Sequence, residues 1–262
     1  RADGMELELS QVTEWVSAAA LALGRVAGLV MVAPIFSSKS IPRRVRAAFV
    51  VMLTIVLIPL APRGNLPDAL SLSGMAVMVE QVAIGAMLGF ILRVLFEAVA
   101  FGGELVGIGM GLSFGRTVDP SNGTSTPVAS QLYMMLATLL FLAMNGHLEL
   151  IRLLASSFTS LPPGPATLGR ETFWAIAGLG SALFSGAVRV ALPAMIALLV
   201  VNLGFGVMSR AAPSLNLFAI GFPVTLIVGL LMMWLSLGSL APTFTMLVDH
   251  AFSAIRDLLG MP

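Results

Sequence analysis

The sequence has no cysteine, two histidines and only 10% Asp, Glu, Lys and Arg. Without cysteine there are no disulfides, no thiolate-held iron–sulfur clusters and no thiol chemistry. His147 and His250 lie two predicted spans apart, and neither has an acidic pair at ligand spacing beside it, so no metal centre is expected. No GxxxxGK[ST] phosphate loop, HExxH pair or GxSxG elbow occurs, which leaves nucleotide-driven and hydrolytic enzymes without support. Ser113, Asp119 and His147 have the residue types of a nucleophile triad, but scattered over two segments they carry almost no specificity.

Apolar residues are abundant instead, at 58% of the chain. That composition predicts an all-α, polytopic membrane-type bundle. Apolar runs at 12–33, 45–61, 72–111, 128–154, 172–207 and 215–248 give six helical segments, separated by Pro-, Gly- and Ser-rich punctuation. The polar start Arg1-Ala2-Asp3-Gly4, before Met5, reads as a leader remnant. No basic region precedes the first apolar run, so no cleavable signal peptide is expected. Lys39, Arg43, Arg44 and Arg46 form a basic cluster too short to suggest nucleic acid, and it reads as a topology signal. With it in the cytoplasm, the N-terminus lies outside, the glycine-rich segment and Arg210 inside, and Pro162, Pro163 and Pro165 outside.

Segment 72–111 as one helix would rise about 60 Å against a hydrocarbon core of about 30 Å, and 172–207 and 215–248 are also too long. Bends, breaks or extension beyond the bilayer are therefore expected, with Pro193 and Pro223 as the break points. Gly85 and Gly89, then Gly103, Gly107 and Gly111, recur every four residues, a spacing that favours close helix packing within the chain. Charges interrupt the apolar runs at Arg25, Glu80, Arg93, Glu97, Glu104, Glu149, Arg152 and Arg189, and an isolated ion there costs at least about 2.5–3.5 kcal/mol. Arg93 and Glu97, four apart, suit a register-fixing pair on one helix face. Arg25 and Arg189 need partners on other helices or chains, and a proton relay would use the same residue types.

Residues 107–127 read GIGMGLSFGRTVDPSNGTSTP. So many glycines, with Asp119-Pro120 and Asn122-Gly123, predict a loop. A membrane chain keeps such backbone only outside the hydrocarbon, against protein, or lining water, which makes the loop the first functional candidate.

The stretches SIPRRVR, MGLSF followed by VDP, FLAMNGH, and RAAPSLNLFAIGFPVTLIVG stand in an order and spacing that resembles the FliR family of flagellar type III export-apparatus proteins, over nearly the whole chain from Met5 onward. The resemblance implies a non-enzymatic, cofactor-free subunit of the export gate in the bacterial inner membrane, at the base of the flagellum. It implies FliP-like and FliQ-like subunits and an FlhB-like protein as partners, with unfolded export substrates in transit. It also implies a division into a polar terminus (1–11), a FliP-like part (12–170) and a FliQ-like kinked hairpin (171–262). Gly107, Gly109, Met110, Gly111, Leu112, Ser113, Phe114, Val118, Asp119 and Pro120 then occupy the positions of a channel plug. Met and Phe side chains fill a narrow passage yet stay displaceable, and glycine lets the backbone turn closely. Two other readings remain on the residues alone. One is a secondary transporter with a midplane site at helices broken by Pro193 and Pro223; the other is a structural scaffold.

Overall fold

A computed structural model describes residues 2–38, 40–61, 71–112, 128–164, 169–212 and 217–261. Seven α-helices and one 3-10 turn occur among them: α1 (Ala2–Val32), α2 (Arg43–Leu57), the turn Ile58–Leu60, α3 (Leu72–Gly109), α4 (Val128–Ala143), α5 (Gly146–Ser160), α6 (Arg170–Ala211) and α7 (Leu217–Leu258). No strand occurs among the described residues. The expected six segments become seven helices because 128–154 divides at Asn145. This residue takes the left-handed conformation (φ 57°) that ends one helix and admits the next, and asparagine tolerates it better than most side chains. The prolines do not interrupt the helical assignment: Pro193 lies inside α6, and Pro223 and Pro242 inside α7. α1 begins at Ala2, well before the apolar run itself.

The chain forms two compact units. The first comprises Arg1–Val94, Asn145–Leu179 and His250–Pro262. In it, α1 and the first part of α3 run parallel at backbone contact, and glycine makes the approach possible. Gly28 lies over the Val82 carbonyl, Gly85 over that of Arg25, and a Cβ on Gly89 would stand 2.9 Å from the Ala33 nitrogen. Leu21, Val26, Leu29, Ile84 and Leu88 fill the seam at 0–1% exposure. α2 folds back along α1, with Phe36 and Phe49 stacked at 5.0 Å between ring centres. Arg46 holds the connecting turn by donating to the carbonyls of Phe36 (3.0 Å) and Ser38 (2.9 Å).

The second unit comprises Leu95–Met144 and Gly180–Asp249. The C-terminal half of α3 is its centre. It runs antiparallel to α4 and α7 and parallel to α6, as paired contacts along each helix show. Gly102 admits Ala187 and Val190 of α6, and Gly103 admits Ala129, Ser130 and Tyr133 of α4. Phe96 packs edge-to-face on Phe141 (5.6 Å) and Phe244 (5.9 Å), an arrangement worth about 0.5–1.5 kcal/mol per pair beyond area burial. The four-residue glycine spacing thus serves intramolecular packing in both units.

Candidate functional site

The glycine-rich stretch has two structural parts. Its beginning is helix: α3 continues through Gly109. Gly107 faces Ala129 and Gly109 faces Leu198, so these glycines are close-packing positions, as the helical run 72–111 and the four-residue spacing of Gly107 imply, and not loop positions as the glycine-rich stretch suggests. The helix ends in a Schellman cap. The Leu112 N–H donates to the Gly107 carbonyl (3.0 Å) and the Gly111 N–H to the Ile108 carbonyl (3.0 Å), while Gly111 takes φ 80°, a value strained for residues with a Cβ. Met110, 1% exposed, covers Gly229 of α7, and the Thr225 hydroxyl donates to its carbonyl at 3.4 Å. The α3 terminus is therefore a fixed anchor, held from α7 by residues that sequence reasoning did not single out. Gly229 was legible as one more glycine in an apolar helix, but its partner was not. Ser113, Phe114, Val118, Asp119 and Pro120 lie outside the described residues.

The charges resolve individually. Arg25 is fully buried in the first unit. Its Nε donates to Gln81 Oε1 at 2.8 Å, and Nη2 reaches the same oxygen and the Leu161 carbonyl (2.6 Å). Nη1 donates to the Ser157 carbonyl and to Ser157 Oγ (3.1 Å), and the guanidinium lies 4.5 Å above the Phe158 ring. A planar fork of five donors suits this task, since one cation ties α1, α3 and the last turn of α5 together. Ser157 and Leu161 carry carbonyls at the end of α5, where the helix dipole favours positive charge. Gln81 was the missed member. It is the amide inside the apolar run of α3, four residues before Gly85, on the stripe that meets α1.

Arg93 and Glu97 are exposed, four residues apart on α3, and Arg189 is exposed on α6, so Arg25 is the buried member of these four. Glu149 accepts from Arg256 (3.0 Å) and Arg152 (3.4 Å), tying α5 to the end of α7. In the basic cluster, Arg43 and Arg44 are exposed, Arg46 holds the turn, and Lys39 lies outside the described residues.

Among the described residues, four helices are long and apolar enough to cross a membrane, Trp15–Val32, Leu72–Gly109, Arg170–Ala211 and Ile220–Leu258, and the pair Val128–Ala143 and Gly146–Ser160, bent by 67°, would make a fifth if it forms one span. α6 and α7 leave most of their apolar surface uncovered. These features define a polytopic helical membrane protein whose chemistry lies in packed helices and helix ends. The sequence profile of the bacterial export proteins, family 1, matches residues 16–251. Flagellar biosynthetic protein FliR of Escherichia coli (strain K12) is 38% identical over 98% of this chain and 96% of its own. The FliR of Pectobacterium carotovorum subsp. carotovorum is 36% identical over 95% and 94%, and that of Caulobacter vibrioides 32% over 88% and 92%. The chain belongs to the FliR family.

Proposed function

We propose that this chain is a non-enzymatic subunit of the flagellar protein export gate in the inner membrane, and that the segment following α3 closes the passage through it. The observation that carries the proposal is kinship with FliR proteins over nearly the full length of both chains, joined to the construction of the α3 terminus. The relatives are named as biosynthetic and export components, not as catalysts. A closing segment needs one firm end and a displaceable body. Met110 on Gly229 and the Schellman cap at Gly111 supply the firm end. The following residues, with Phe114 and the turn pairs Asp119-Pro120 and Asn122-Gly123, supply the body. FliP-like and FliQ-like subunits and an FlhB-like protein are the proposed partners, and they would cover apolar surface that α6 and α7 leave bare. The transporter reading drew on helices broken at Pro193 and Pro223, but both prolines lie within uninterrupted helices.

The test is conductance. Deleting residues 113–118, or substituting Phe114→Gly, should preserve complex assembly while ion passage through purified complexes in planar bilayers rises, because hydrophobic constrictions close by dewetting. The deletion must begin after Leu112, since removing Met110 would damage the bundle core. Normal assembly with conductance equal to the parent would make the segment a connector.

A further inference from the structure

The contact between the end of α3 and α7 is built unlike the other close approaches in the chain. Gly28, Gly85, Gly89, Gly102 and Gly103 each meet a backbone atom first, which cannot withdraw. Gly229 meets a side chain: a Cβ there would stand 2.7 Å from Met110 Sδ and 2.9 Å from its Cε, with Cγ nearer still. Methionine has three rotatable bonds and an adaptable thioether, so this seat holds its occupant by shape and still leaves it a way out. Thr225, Gly229 and Met233, spaced four residues apart, form the buried stripe of α7 at this level, and Met110 crosses it at the glycine.

The Thr225 hydroxyl has one proton and two carbonyls within reach. One is that of Met110, at 3.4 Å; the other is that of Phe222 in its own helix, at 3.0 Å. Met110 lies just past the last residue of α3, where carbonyls lack a helical partner, and the Schellman cap serves those of Gly107 and Ile108 instead of its own. Docked, the Met110 carbonyl depends on Thr225. With Met110 withdrawn, the hydroxyl keeps its bond to Phe222, and no donor is stranded on α7. One residue further on, Gly111 makes the left-handed turn that glycine takes without strain, so the chain beyond it can swing without dragging α3. We infer that Thr225 and Gly229 are positioning residues for the closing segment: they form a releasable latch on Met110, and the strength of that latch sets how readily the passage opens. The second half of the inference rests on the gate reading; the latch itself is a property of α3 and α7.

The chain has no cysteine, so Leu112→Cys, at a half-buried position two residues past Met110, gives it a single thiol. Complexes co-purified with their membrane partners are treated with a maleimide, modification of this chain is followed by its mass shift, and conductance is recorded on the same preparations in planar bilayers. On that background Gly229→Ala should raise the modification rate at least about fivefold, because the new methyl takes the seat of Met110. Thr225→Val keeps the shape, removes the donor and should raise it roughly two- to tenfold. Both should conduct more than Leu112→Cys alone. Gly238→Ala makes the same gain in helix propensity at a position of α7 with nothing within 4 Å, and it should leave both readouts unchanged. A background-like modification rate in either latch variant overturns the latch, whatever the conductance. Raised modification with unchanged conductance, in a complex that conducts once residues 113–118 are deleted, overturns control of the passage and leaves the gate reading standing. If that deletion does not conduct either, the gate reading fails and takes that control with it. Should Gly229→Ala not assemble, Thr225→Val decides alone: a background-like rate overturns the latch.

Discussion

Arg25 gives the sharpest test of what holds the first unit together. In Arg25→Met the side chain keeps much of its volume and loses every donor. The Ser157 carbonyl retains the Leu161 N–H at 3.0 Å, and the Leu161 carbonyl sits at the edge of the packing, so both survive the loss. Gln81 does not survive it. It is fully buried, its Oε1 receives both Nε and Nη2 of Arg25, and its Nε2 already has no partner among the described residues. Stranding that oxygen costs about 1–3 kcal/mol, and the loss of charge-assisted bonds and of the contact with the Phe158 ring adds to it. Relief from burying a guanidinium offsets part of the total. A net loss of about 2–4 kcal/mol corresponds to a fall in melting temperature of roughly 4–16 °C for a chain of this size. Arg25→Lys keeps the charge but not the planar fork and should fall between the two. The diagnostic variant is the double substitution Arg25→Met with Gln81→Leu, which removes donor and acceptor together and should melt above Arg25→Met alone. Thermal melts of the detergent-solubilised protein decide the matter. A parent-like Arg25→Met, or a double variant no better than the single, would refute the clamp.

Gly85→Ala should destabilise the first unit at the upper end of the about 1–3 kcal/mol typical of overpacking, because the new Cβ meets the Arg25 backbone, which cannot swing aside as a side chain does; denaturation midpoints measure it. Glu149→Gln should cost no more than about 1 kcal/mol, and that cost should shrink further in high salt, since both of its arginine contacts are at least partly open to solvent; paired melts at low and high ionic strength check this. A cysteine placed at Ser38 should label from the cytoplasm and one at Pro163 from the outside, and reversal of both would invert the topology.

Composition alone determined that the chain is helical and membrane-like, because a 58% apolar sequence with 10% charge has few other ways to satisfy its backbone. Motif order was enough to point to the family. Glycine spacing marked the packing stripes, since a four-residue repeat falls on one face of a helix whatever its neighbours are. Pattern does not carry partners, and those only the tertiary structure decided. Gly107 and Gly109 read two ways, as the end of the helical run 72–111 and as the start of a glycine-rich loop; contact with Ala129 and Leu198 keeps them in the helix although local propensity disfavours glycine there. Pro193 and Pro223 read as breaks, yet the packed helices continue through them. Asn145-Gly146, a turn-type pair inside an apolar run, makes the break instead through one left-handed residue. Arg25 and Arg189 looked alike in sequence, each a lone cation in an apolar helix. One finds Gln81, Ser157 and Leu161 from helices distant in the chain and is sealed; the other stays exposed on α6, reaching the Met246 sulfur, because a charge is satisfied in space and not in sequence.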